Sequence, residues 1–161
     1  MGKIAEKKKE AENMDRISEL QASIDFSVVG NKPILLARNQ NSKVTREGRV
    51  MLLTLGKEIR ARSRKDVFLI VIDDNLYILS EHTDGKKAYK LLYMPANLAH
   101  VTTMDVPDLD FDRSNMFELR MTNPLELLVL QSPNSDDKSA WMKLFGTISK
   151  YFYYFINRLF T

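Results

Sequence analysis

Between Arg46 and Gln131 the chain alternates short apolar runs with turn residues, about seven runs of strand length, and after Pro133-Asn134-Ser135-Asp136 the period changes to that of a helix. The first run, Arg49 to Leu55, closes at Gly56, whose freedom at positive φ suits a hairpin. Asp66 to Ile72 is a continuous apolar stretch, the pattern of a strand covered on both faces. Asp73-Asp74-Asn75 turns the chain into Leu76 to Ser80, and Asp84-Gly85 makes the next turn. Tyr89 to Met94 ends at Pro95. His100 to Met104, Met116 to Met121 and Glu126 to Leu130 complete the series, the last entered through Asn123-Pro124. Hairpins repeated at this spacing predict an antiparallel meander.

Two helices flank these strands. Ile4 to Ile24 is polar, with Ile17, Leu20 and Ile24 recurring on one face; so thin a stripe is marginal in water and reads as the end of something larger. The closing helix is expected to start from a Ser/Asp cap near Ser135 and to carry Trp141, Leu144, Phe145, Ile148, Phe152, Phe155, Ile156 and Leu159 at steps of three and four. Trp141 is the only tryptophan, and core packing is its ordinary use. The aromatic run Tyr151-Phe152-Tyr153-Tyr154-Phe155-Ile156 widens that face beyond what a capping helix needs. It is expected to fold back over the apolar connector segment Ile34 to Leu36, or else to meet a partner. The segments read as a helical extension at residues 1–25, a connector at 26–45 and a strand-rich domain with a long terminal helix at 46–161.

Composition narrows the possible chemistry. With 161 residues, 44% apolar, five prolines and six glycines, the chain is expected to be one globular domain with extensions. Cysteine is absent, which excludes disulfides and thiolate metal sites and suits a reducing compartment, with the cytoplasm as the default. There is no apolar stretch of membrane-spanning length, and the charged start lacks a secretory h-region. Met1-Gly2 is followed by Glu6, where a myristoylation signal needs Ser or Thr. His82 and His100 have no ligand spacing around them, so no metal is expected, and no Gly-rich phosphate loop or serine elbow is present. Asp105, Asp108, Asp110 and Asp112 fall in a Pro-containing turn, where exposure and ordinary pKa values are expected. No cofactor and no catalytic residue is assigned.

Charge is more telling in its distribution than in its net value of +3. Arg46, Arg49, Lys57, Arg60, Arg62, Arg64 and Lys65 face only Glu47 and Glu58 within one hairpin, whereas Asp105 to Asp112 holds four aspartates and no base. Such a dipole would orient the domain before an anionic surface. Extended backbone would place Arg60, Arg62 and Arg64 on one face. The competing reading is a solvated, charged loop.

The stretch from Arg46 to about Ser149 resembles a pleckstrin-homology (PH) domain, on the Arg46-Glu47-Gly48-Arg49-Val50 opening, Asp66-Val67-Phe68-Leu69-Ile70 followed by Asp74-Asn75-Leu76-Tyr77, and a tryptophan early in the final helix. The helix, connector and strand before and within it look like the junction in Dbl-family Rho guanine-nucleotide exchange factors, where the last catalytic helix runs into the PH domain. The resemblance implies a mainly β, seven-stranded antiparallel sandwich or barrel capped by a C-terminal helix. It also implies a non-catalytic role at phosphoinositide membranes beside a catalytic domain that acts on a Rho-family GTPase, with no nucleic acid partner. The head-group site it implies is Lys57, Arg60, Arg62, Arg64 and Lys65 with Lys86 and Lys87, and Lys90 close by. High-affinity PH domains resemble one another in a first-strand lysine four residues after the opening glycine. Counted from Gly48 that position is Leu52, which implies weak attraction, on the order of 1 kcal/mol per well-placed base. The alternative is a protein-binding module of the same superfold without lipid function; a free-standing enzyme is the least supported class.

Overall fold

The computed structural model describes residues 2–30, 34–55, 62–81, 85–122 and 125–147. Among them are two α-helices, α1 (Gly2–Ser23) and α2 (Ser135–Phe145). The strands are β1 (Ile24–Asp25), β2 (Val44–Leu55), β3 (Arg62–Ile72), β4 (Asn75–Glu81), β5 (Tyr89–Leu91), β6 (Ala96–Asn97), β7 (Val101–Asp105), β8 (Met116–Thr122) and β9 (Leu125–Gln131). The mainly β class with a helix at either end is the expected one. The chain divides into two compact units, Met1–Gly48 with Val67–Pro95, and Arg49–Asp66 with Ala96–Thr161.

In the first unit β5, β4 and β3 are neighbours, and β1 lies parallel to β5 with Ile24 opposite Tyr89 and Asp25 opposite Lys90. β3 and β4 form a tight antiparallel pair running from Val67 opposite Ser80 to Ile72 opposite Asn75. The turn between them puts Asp73 at φ +53, a conformation that Asp tolerates better than most residues. Side-chain alternation sends Ile70 and Ile72 of β3 and Tyr77 and Leu79 of β4 to one face. That face is covered by Ile17, Leu20, Ile24, Phe26 and Leu36, so the thin stripe of α1 is core rather than a loose end. Val67, Leu69, Val71, Leu76 and Ile78, on the other face, are buried as well, which is why β3 reads as an uninterrupted apolar run.

Polar contacts fasten the C-terminal half of α1. The Arg16 guanidinium donates from Nε and Nη2 to the two carboxylate oxygens of Glu47 at 3.3 and 3.0 Å, which holds the guanidinium above its usual pKa. Asn13 Oδ1 accepts from Val44 N at 3.2 Å. The Gln21 amide acts as a short piece of backbone ladder toward the connector: Nε2 donates to Ile34 O and Oε1 accepts from Leu36 N, both at 2.8 Å.

In the second unit the order is β2-β9-β8-β7, with Leu52 opposite Leu130, Phe117 opposite Leu130 and Thr103 opposite Leu119. Phe117, Leu119 and Met121 of β8 are buried, as the alternation in that segment requires. α2 packs on β7 and β8, with Trp141 buried and stacked on Phe145 at 5.6 Å between ring centroids. The helix is capped not by Ser135 but by Asn134, whose Oδ1 accepts from Asp137 N at 2.8 Å, while Asp136 and Asp137 sit at the positive end of the helix dipole.

A single helix running on to Leu159 is not what forms. Gly146 stops α2 at φ +83, its N–H closing on Met142 O at 3.0 Å. Its carbonyl then accepts from Thr103 N at 2.8 Å and Thr103 Oγ1 at 3.0 Å, tying the end of the helix to β7. The aromatic run from Tyr151 to Ile156 lies outside the described residues.

Candidate functional site: the basic positions and the acidic loop

The seven bases of the head-group site that the resemblance implies fall into three groups. Lys57 and Arg60 lie outside the described residues, and Arg62 contributes its backbone to the start of β3 with its side chain outside them. Arg64 and Lys65 belong to the second unit and are exposed, on opposite faces of β3 as successive strand residues. Arg64 Nη2 donates to Asp112 O at 3.4 Å. Lys86 and Lys87 belong to the first unit, exposed in the segment leading into β5, with Lys90 exposed within that strand. No ion pair is formed by Arg64, Lys65, Lys86 or Lys90 among the described residues. Lys87 is different: its Nζ donates to Ala22 O, in the last turn of α1, at 2.8 Å.

Leu52 is buried on β2, so the first-strand position that would carry a lysine in a tight head-group pocket serves the core. His100 ends a single 3-10 turn, Leu98–His100, and is exposed; His82 lies outside the described residues. Among the described residues no group of three or more His, Cys, Asp or Glu side chains could hold a metal ion, and no helix is long and apolar enough to cross a membrane.

The aspartates of the segment between β7 and β8 brace a loop. Asp105 pairs with Lys138 at 2.6 Å, and Lys138 also donates to Val106 O. Asp108 Oδ1 accepts from Asn115 N at 3.0 Å. Asp110 is bound by Arg113 through its guanidinium and its backbone N–H, and the guanidinium hydrogen bond holds the Asp110 carboxyl below the usual range, against the expectation of ordinary values. Gln131 Nε2 donates to Asp112 O and Ser114 O, so the loop is tied to β9 as well.

This wiring presents Leu109 and Phe111 to water, Phe111 at 95% exposure, beside a groove of about 430 Å³ lined by Met51, Phe111, Gln131 and Pro133 among others. On β9, Leu125 and Leu127 are exposed two residues apart on one face. Charge patterning pointed to neither feature, because an apolar residue displayed to solvent has the same spelling as one in the core.

A model of the PH domain family matches residues 44–150, well over half of the chain. Among solved structures, the N-terminally truncated linker-DH/PH domains of p115-RhoGEF are similar at a TM-score of 0.62 and 18% identity, over 85% of this chain and 39% of that one. The PDZ-RhoGEF DH/PH domains in complex with GTP-γ-S-activated RhoA give 0.61 and 20%, with the same two coverages. An activated truncation of Vav1 gives 0.55 and 23%, over 86% of this chain and 32% of that one. The chain thus spans well under half of each of these structures, and at these identities the likeness is one of fold. It extends past the family match: 85% of the chain exceeds residues 44–150, and the few residues after 150 cannot make up the difference, so part of the segment before β2 is included. No curated protein matches the sequence. By its strand series, its tryptophan-bearing closing helix and the family match over 44–150, the chain belongs to the PH domain family.

Proposed function

We propose that this chain is the PH module of a Rho guanine-nucleotide exchange factor, which attaches weakly to anionic phosphoinositide membranes from the cytoplasmic side and supports an adjacent catalytic domain. The observation that carries the reading is the burial of Ile17, Leu20 and Ile24 in the first unit, with Arg16 clamped on Glu47. A helix entering the PH strands and packed this firmly is a rigid coupling to whatever precedes it. The exposed bases Arg64, Lys65, Lys86 and Lys87, with Lys57, Arg60 and Arg62 and with Lys90 close by, supply the positive charge, and Leu52 supplies the reason for low affinity. In this role the chain has no chemistry of its own.

Cosedimentation with vesicles containing phosphatidylserine and phosphoinositide tests the membrane half. Weak pelleting with little head-group preference is expected, lost at high salt as screened attraction must be. Replacing Arg60, Arg62 and Arg64 together by Ala should abolish it, and unchanged pelleting would remove that site. For the catalytic half, the 161 residues alone should leave nucleotide release from a Rho GTPase unaccelerated; measurable exchange activity would contradict the reading.

A second reading, a protein-binding PH module without lipid function, draws on the exposed Leu125 and Leu127 of β9 and on the PDZ-RhoGEF structure, in which DH/PH domains are bound to activated RhoA. Under it vesicles would be ignored, and a GTPase would protect strand surfaces from hydrogen exchange.

A further inference from the structure

Among the described residues, Lys87 is the one base of the proposed head-group set whose charge is already engaged by a helix end, through its contact with Ala22 O at 2.8 Å. The carbonyls of a helix's last turn have no intrahelical partners and carry the negative pole of the macrodipole, so an ammonium group there is both a hydrogen-bond donor and a counter-charge. α1 has no base of its own in its last turn, which leaves this one, sixty-five positions along the chain, to serve. Directly after α1, β1 pairs with β5, placing Asp25 opposite Lys90. The end of α1 and the lysine-bearing segment are therefore one small piece of structure within the first unit.

We propose that Lys87 is a switch between two loads: at rest it caps α1, and when a phosphate-bearing anion binds at Lys86, Lys87 and Lys90 it leaves Ala22 and loosens the last turn of the helix. This rests on the membrane reading above. The two loads compete for a physical reason. The ammonium has three donors, but an anion drawn to Nζ where it now sits would face the negative pole of α1. Binding is favourable only with the side chain swung away, which strips the cap. By linkage the effect is reciprocal, so anything that stiffens the end of α1 weakens anion binding by the same factor.

Hydrogen exchange of the segment covering residues 18–26, measured on the whole chain, tests this. Vesicles containing phosphatidylserine should speed exchange there roughly two- to fivefold, the range expected for losing one charge at a helix end, while neutral phosphatidylcholine vesicles should not. Inositol hexakisphosphate in place of vesicles separates the sources: the same acceleration assigns the switch to phosphate chemistry as such, and acceleration by vesicles alone assigns it to a lipid surface. Lys87→Gln should raise basal exchange in this segment and abolish any further response. Lys86→Gln, which removes an equal charge, should weaken pelleting but leave basal exchange and the response of the bound fraction intact. If the protein pellets with anionic vesicles and residues 18–26 exchange as before, the switch is wrong and the membrane reading stands. If it does not pellet and does not respond to the inositol phosphate, the membrane reading fails and the switch with it, while Lys87→Gln still reports whether the cap exists. Equal basal exchange in Lys87→Gln and wild type would overturn the cap itself.

Discussion

α1 and α2 solve the same problem, fastening a helix to a sheet, by opposite means. α1 has 22 residues and, among its described side chains, commits only Ile17 and Leu20 to the core of the first unit, with Ile24 just beyond. The remainder of its attachment is polar and long-range: Arg16 to Glu47, Asn13 to Val44, Gln21 to the connector, Lys87 to its last turn. α2 has half that length and buries Trp141, Met142 and Phe145 in the second unit, with a local cap at Asn134 and a glycine stop. A short helix that inserts a large aromatic side chain needs little else, because burial energy scales with the apolar area removed from water. A long helix with a thin stripe depends on each pin, and its end can be adjusted by changing a single charge.

The comparison can be broken first at Trp141. Trp141→Ala should cost about 3 to 5 kcal/mol by loss of packing and creation of a cavity, a large share of what a domain of this size has. Chemical denaturation measures it, and the wild-type emission should be blue-shifted; a red, quencher-accessible tryptophan would mean that α2 does not plug the core. Leu20→Ala comes next, at about 2 to 5 kcal/mol for a fully buried leucine. If the denaturation midpoint stays where it was while α1 amides lose protection, α1 is an accessory and its packing is not part of the cooperative core. The smallest effect belongs to the acidic loop. Asp110 is held below its ordinary range by Arg113, so its contribution is complete above the unfolded carboxylate pKa of about 4 and fades as pH falls through the lower folded value. Because the pair lies at the solvent-washed surface, acidification should loosen the amide signals of residues 108–115 in NMR spectra without moving global stability, and Asp110→Asn should remove that pH dependence.

Much of the architecture was legible in the sequence because the information was local. Alternation in Phe117, Leu119 and Met121, the uninterrupted run from Val67 to Ile72 and the Asp73-Asp74 turn each describe a segment by its own residues. The same holds for a tryptophan within a helical period. Local signals also mislead where two of them compete: the apolar steps from Trp141 to Leu159 run through Gly146, although a glycine at positive φ ends α2 at Phe145. The cap shifted from Ser135 to Asn134 for a similar reason, since neighbouring polar residues compete for one backbone geometry.

By itself, then, the sequence determined the strand series, the Asp73-Asp74-Asn75 turn and the placement of charge, because hydrophobic period and turn chemistry act within a few residues. Only the tertiary structure decided what the sparse positions do. It made Ile17, Leu20 and Ile24 core, by bringing β3 and β4 against them. It took Leu52 for packing. It gave Lys87 to the end of α1, and it displayed Phe111 to solvent on a loop stitched by Asp108, Asp110 and Gln131. Each of these outcomes depends on which distant segment arrives beside a residue, and a contact between positions tens of residues apart leaves no periodic trace in either one.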